Sequence, residues 1–172
     1  AILPGKVVRN GTLVVAASRD QNELKRFAGR TAGYRWLDEQ DIAILEPLLA
    51  GRYRHGLFFP QEAHLDPREV MQSLKDGLLA KGVTFVGQVA EDDGFSEIVD
   101  CTGAARIGES PALRGVRGEM LYLQTHEVTL SRPVRLLHPR VPIYIVPRDK
   151  GLFMVGATMI ETDFKGPIAA RS

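Results

Sequence analysis

The side chains that chemistry would use first are sparse in this sequence. His55, His64, His126 and His138 are its four histidines, and no two of them stand at a helical metal-ligand spacing. Surface or capping roles fit them better than ligation. Cys101 is the single cysteine and ends an apolar run, where a thiol behaves as a small hydrophobe. No neighbouring base is evident that would make it a nucleophile. There is no nucleophile elbow, no Walker-type phosphate loop, no His-Glu-x-x-His and no Gly-x-Gly-x-x-Gly. No catalytic side chain and no metal ligand is therefore assigned. Asp100-Cys101-Thr102-Gly103-Ala104-Ala105 carries two readings. A strand that stops at small residues lets a ligand approach its backbone, and open α/β sheets bind ligands at the carboxyl ends of strands. The same residues also suit a plain strand-to-loop turn, with Gly103 supplying an unusual backbone angle. Tyr144 lies in an apolar run and reads as a buried ring with its hydroxyl at a partner. Arg148, just past Pro147, either pairs with a carboxylate or lines a turn.

The elements that must position these residues follow from patterning. Asn10-Gly11 is a strong turn pair, and Thr12 to Ala17 after it is a short, apolar run that reads as a buried strand. Asp20 caps a helix running through Phe27, stopped by Gly29. A second helix spans Asp38 to Leu49, with Ile42, Leu45 and Leu49 on one face and an end or kink at Pro47. Gly56 to Phe59, closed by Pro60, is a strand. Asp66-Pro67 opens the clearest helix, with Glu69 in the capping-box position, Val70, Leu74, Leu78 and Leu79 as its apolar stripe, and Gly82 as its stop. Val83 to Val86 reads as a strand directly after it, as in half of a βαβ crossover. From Glu97 onward the texture is of strands: Ile98 to Cys101, Glu119 to Gln124 and Val134 to His138. Ile143 to Pro147 and Leu152 to Gly156, joined by Arg148-Asp149-Lys150-Gly151, make an antiparallel hairpin. Helices early and hairpin strands late predict an α+β fold with a mixed, mainly antiparallel sheet flanked by helices.

Composition bounds the partners. The 172 residues are 44% hydrophobic and 25% charged, enough apolar material for a core. Lys plus Arg is 22 against 21 for Asp plus Glu, a net charge of +1. That balance argues against a nucleic-acid footprint or an anionic membrane surface, and no apolar run is long enough to span a bilayer. One cysteine points to a reducing compartment, hence a cytoplasmic location. The first residues form neither a signal peptide nor an initiator start. Pro167 suits a first helical position, yet five residues follow it, too few for a stable helix. Both ends are expected to be cut, with 161–172 the start of a truncated helix.

Two stretches together carry more. Tyr144-Ile145-Val146-Pro147-Arg148, followed by Gly151 to Met159, resembles the hairpin of the FAD-dependent D-amino-acid oxidase family, nearest its thiamine-pathway glycine oxidases. Asp100 to Ala104 resembles that family's strand returning to the flavin domain, and Arg117-Gly118-Glu119 the Arg-Gly-Gln/Glu step after it. Phe59-Pro60 with Leu65-Asp66-Pro67 resembles the segment before the family's long helix. The matches run in family order from about Asn10 to Ser172.

The resemblance implies a central piece of such an enzyme, lacking the glycine-rich dinucleotide motif and not competent alone. Residues 1–66 and 105–160 would belong to the substrate domain, and 67–104 to the FAD-binding domain. Tyr144 and Met159 match substrate contacts; Val89, Cys101, Thr102 and Gly103 match positions near FAD. Pro142 stands where some glycine oxidases have a histidine, so that role is not carried over. The implied reaction is oxidation of glycine or a similar small amino acid by dioxygen, giving the imine or keto acid, ammonia and hydrogen peroxide, for thiamine thiazole biosynthesis. The implied assembly is a homo-oligomer. A sarcosine or D-amino-acid enzyme on the same fold, and a non-catalytic binding module, are the competing readings.

Overall fold

In a computed structural model, residues 7–88, 94–109 and 111–168 are described. Seven strands form one sheet, and all but one neighbouring pair are antiparallel. In chain order the strands are β1 (Val7–Val8), β2 (Thr12–Ala16), β3 (Arg35–Asp38), β4 (His55–Phe59), β5 (His64–Leu65), β6 (Met120–Gln124), β7 (Val134–Leu137), β8 (Ile143–Pro147) and β9 (Leu152–Gly156). The helices are α1 (Gln21–Ala28), α2 (Glu39–Leu45) and α3 (Pro67–Leu79). The large sheet runs β3-β4-β2-β7-β8-β9-β6, and β1 pairs with β5 apart from it. Among the described residues only β2 and β7 run parallel, in the middle of the sheet.

Period-2 alternation divides the residues between two faces. Val14, Ala16, Leu57, Phe59 and Leu137 meet Leu24 and Ala28 of α1 on one face. Leu13, Val15, Phe58, Val134 and Phe153 meet Ile42 of α2 on the other. The turn before β2 needs Gly11: its φ is +74°, and a Cβ there would fall 2.5 Å from the Phe58 ring. The mixed, mainly antiparallel α+β fold agrees with the expectation, as do the β8–β9 hairpin and the presence of all three helices; Asp20, expected to cap α1, precedes it with φ −107° and makes no side-chain bond to its backbone.

Helix boundaries follow local chemistry. Asp38 and Asp41 form a reciprocal capping box at the start of α2. The helix ends earlier than Leu49, because the residue before a proline is pushed out of the helical region. Glu46, preceding Pro47, adopts φ −140° and ψ 88°, and Pro47–Leu49 form a separate 3-10 turn. Asp66 caps α3 by accepting from the Arg68 and Glu69 backbone N–H groups at 2.9 and 3.4 Å. Of the α3 stripe, Val70 is buried, whereas Leu78 and Leu79 are exposed.

Two expected strands are absent. Val83–Val86 and Ile98–Cys101 carry no regular structure and pair with no neighbour among the described residues. Ile98 and Val99 are more than four-fifths exposed. A strand exists only by its ladder, and among the described residues neither segment has one. Residues 161–168 form no helix, and the rest of the helix expected there lies outside the described residues.

Leaving the helix at Glu46 brings its carboxylate into the core, where it is 1% exposed. It accepts from the Ser131 backbone N–H at 3.1 Å, the Ser131 hydroxyl, and Arg132 Nε at 2.9 Å. Arg132 also donates to the Asn10 carbonyl at 2.9 Å and lies over the Phe58 ring. Removing one member of such a buried pair strands the other's charge. Glu46→Ala is expected to cost the full-length protein about 3 kcal/mol in urea unfolding, and Glu46→Gln about half of that. A loss below ~0.5 kcal/mol for Glu46→Ala would show that the pair contributes nothing net.

Candidate functional site

The β8–β9 hairpin carries the site. Its turn is Arg148-Asp149-Lys150-Gly151, with left-handed φ values at Lys150 and Gly151, and the Arg148 N–H donates to the Leu152 carbonyl at 2.7 Å. Gln124 Nε2 donates to the Lys150 carbonyl, which ties the tip to β6. The register sets Tyr144 opposite Gly156, and Gly156 opposite Met120. In the other direction Tyr144 faces Arg135, Arg135 faces Val14, and the row continues through Leu57 to Trp36. One line of paired residues thus crosses all seven strands.

Tyr144 is half-buried, and its hydroxyl donates to the Met120 sulfur at 3.6 Å. It also borders a cavity of about 250 Å³, with Thr12, Phe27, Phe59, His64 and Arg135 among the walls. Arg135 lies 5.2 Å from the Phe27 ring centre.

Arg148 settles between its two sequence readings by pairing. Its Nε is 3.6 Å from Asp66, the cap of α3, and its Nη1 is 3.2 Å from His64 Nδ1. A guanidinium can only donate, so Nδ1 accepts and the ring proton sits on Nε2. Burial first, and the Arg148 charge second, hold the His64 pKa below the usual imidazole value and keep the ring neutral. The first turn of α3 is further held by Arg68, 4.5 Å from the Tyr122 ring centre on β6.

A second cavity, of about 670 Å³, opens between Gly103–Ile107, Leu113–Gly118 and Thr162–Gly166. Arg117 closes one side of it, pairing with Glu119 at 2.7 Å and donating to the carbonyls of Phe164 and Pro167 at 3.0 and 2.8 Å. Asp100 shapes the approach. Its carboxylate accepts from the Thr102 hydroxyl at 2.6 Å, the Thr102 backbone N–H at 2.9 Å and Arg106 at 2.8 Å. The Thr102 bonds, then Arg106, hold its pKa below the ordinary carboxylate value. Both Thr102 donors are thereby used locally, and Gly103, at φ +55°, presents bare backbone to the cavity.

A flavin ring is the group that the resemblance implies, and Gly103, one of the positions matched near FAD, lines this cleft. Its volume lies in the usual ligand range, and a Cβ on Gly103 would meet nothing within 4 Å, whereas one on Gly166 would run into the Phe164 ring. The backbone of Asp163 already lies 2.8 Å from where a Cβ on Gly115 would sit.

The structure gathers the expected residues only in part. Cys101, Thr102 and Gly103 are exposed, and Gly103 borders the larger cavity. Tyr144 borders the smaller one; Gly118, in the wall of the larger, is two residues from Met120, which meets the Tyr144 hydroxyl. Met159 is 84% exposed and lines neither. Val89 lies outside the described residues. Met120 and Arg135 escape a reading of single stretches, because only strand register brings them beside Tyr144.

Comparison with known proteins follows the same outline. The family described as FAD dependent oxidoreductase matches residues 4–171. A Rhizobium etli protein, provisionally assigned as the thiamine biosynthesis oxidoreductase ThiO, is 64% identical over 174 residues, covering 100% of this chain and 53% of its own length. Glycine oxidase of Bacillus licheniformis is 24% identical over 177 residues, covering 90% of this chain and 47% of its own length. The crystal structure of glycine oxidase from Geobacillus kaustophilus matches with a TM-score of 0.71 at 19% identity, covering 96% of this chain and 52% of that one, a likeness of fold. The chain spans about half the length of the curated relatives it matches. A family match over nearly every residue, on a sheet and hairpin of the same fold, leaves one conclusion: the chain belongs to the FAD dependent oxidoreductases.

Proposed function

We propose that this chain is part of an FAD-dependent amino-acid oxidase of the glycine oxidase type, serving thiamine thiazole biosynthesis in the cytoplasm. The observation that carries this reading is the 64% identity to the Rhizobium etli protein along the whole chain. The balanced reaction is glycine, dioxygen and water to glyoxylate, ammonia and hydrogen peroxide. Bound FAD would supply the hydride acceptor, with dioxygen as the terminal oxidant. The protein's own contribution is binding and orientation, which accords with the lack of any assigned catalytic base.

In this reading Tyr144 donates its hydroxyl to the substrate carboxylate, and Met159 limits the side chain that the substrate can carry. Gly103 brings bare backbone to the ring in the larger cavity, with Cys101 and Thr102 beside it and Val89 toward the adenine side. Residues 67–104 belong to the FAD-binding part; none of their described residues joins the seven-stranded sheet, which supports that division. Turnover is assigned to the full-length protein rather than to this chain alone.

An absorption spectrum of the full-length protein under anaerobic glycine tests the reading. Oxidised flavin bands that bleach with glycine are expected. Bands that respond only to sarcosine or D-alanine would move the substrate assignment, and a folded protein without flavin would remove the enzyme reading. Tyr144→Phe is expected to raise the glycine KM by about tenfold with kcat nearly unchanged, the pattern of a uniform binding contact. Met159→Ala is expected to shift the kcat/KM ratio toward D-alanine over glycine by ~10-fold, within the range that pocket size controls. Unchanged ratios would remove Met159 from any role in limiting the substrate.

A further inference from the structure

We infer that Met120 and Gly156 are positioning residues for the Tyr144 hydroxyl, an inference that rests on the reading of Tyr144 as a carboxylate contact. The three residues face one another across β8, β9 and β6. Gly156 is buried between the other two, and its missing side chain is what the arrangement needs. A Cβ on Gly156 would lie 2.7 Å from both Cζ and the hydroxyl oxygen of Tyr144, and 3.2 Å from Met120 Cγ. The phenol therefore lies down over the glycine and reaches the thioether of the edge strand.

The chemistry of that thioether matters. Sulfur is a weak acceptor. At 3.6 Å it gives the hydroxyl a direction without holding it strongly. A carboxylate oxygen is a far better acceptor, so an incoming substrate takes over the donor at small cost. A strong acceptor in Met120's place would compete with the substrate for the same proton. Met120 is 42% exposed and Tyr144 half-buried, so the hydroxyl is reachable from outside. On the opposite side Arg135 stacks over Phe27, leaving Met120 as the hydroxyl's hydrogen-bond partner among the described residues.

The test uses the full-length, flavin-loaded protein and two readouts: glycine KM and kcat, and the glycolate concentration that half-perturbs the flavin absorbance. Glycolate is a glycine-sized carboxylate without the amine. Met120→Gln and Gly156→Ala are each made alone and combined with Tyr144→Phe. Met120→Gln is expected to raise both the glycine KM and the glycolate Kd by about tenfold, with kcat within about twofold. Gly156→Ala is expected to do the same where it folds; Met120→Gln, at an exposed edge position, carries the test if it does not. Neither substitution should add to the effect of Tyr144→Phe, since all three act through one hydroxyl. A glycolate Kd unmoved by Met120→Gln while Tyr144→Phe weakens it would overturn this inference alone. Fully additive effects would do so as well, by showing a role apart from Tyr144. If Tyr144→Phe itself leaves both quantities unchanged, the reading of Tyr144 fails and the inference falls with it.

Discussion

The buried Glu46 carboxylate is the constraint on which the architecture turns. It stands where α2 has just ended, in a backbone conformation forced by Pro47, and grips Ser131 and Arg132 immediately before β7. Arg132 in turn holds the Asn10 carbonyl immediately before β2. The two strands so aligned are the parallel pair at the centre of the sheet. Parallel neighbours cannot be joined by a tight turn, so their register needs an anchor other than a hairpin. Here the anchor is electrostatic, and it sits at the point where both strands enter the sheet.

Everything that concerns the site hangs from that centre. β7 fixes β8, β8 fixes β9, and β9 fixes β6, so Tyr144, Gly156 and Met120 align because the register was set at β2. Arg148 binds the same hairpin to α3 through the carboxylate that caps that helix. Asp66 thus serves two partners, the first turn of α3 and a guanidinium that is almost fully enclosed. The neutral His64 ring completes the enclosure by accepting from the same guanidinium.

The parts of the fold legible in the sequence were those written in local chemistry. Asp66 as a cap, Pro67 at a first turn, Gly11 at a tight turn and the two halves of the hairpin each depend on residues a few positions apart. β3 left no such mark: of Arg35–Asp38 only Leu37 is buried, so no alternation shows. Val83–Val86 and Ile98–Cys101 have the apolar character of strands, but character does not supply a neighbour to pair with. The site was legible to a similar depth. Tyr144 stands out through the motif around it, whereas Met120 becomes its neighbour only through two successive strand pairings. Glu46 gave no hint of burial, since its partners lie 85 and 86 positions away.

That long reach has a consequence for how the molecule comes into being. Asn10 and Ser131, the residues flanking the central junction, are 121 positions apart. On the ribosome the early hairpin-like set of β2, β4 and β3 emerges well before β7 exists to cover its open edge. Long-range closure of this kind is slow, and an uncovered strand edge invites wrong partners while it waits. Until β7 is made, the β2 edge that it covers in the finished sheet has no partner there, and Arg132 closes that edge only late in the chain.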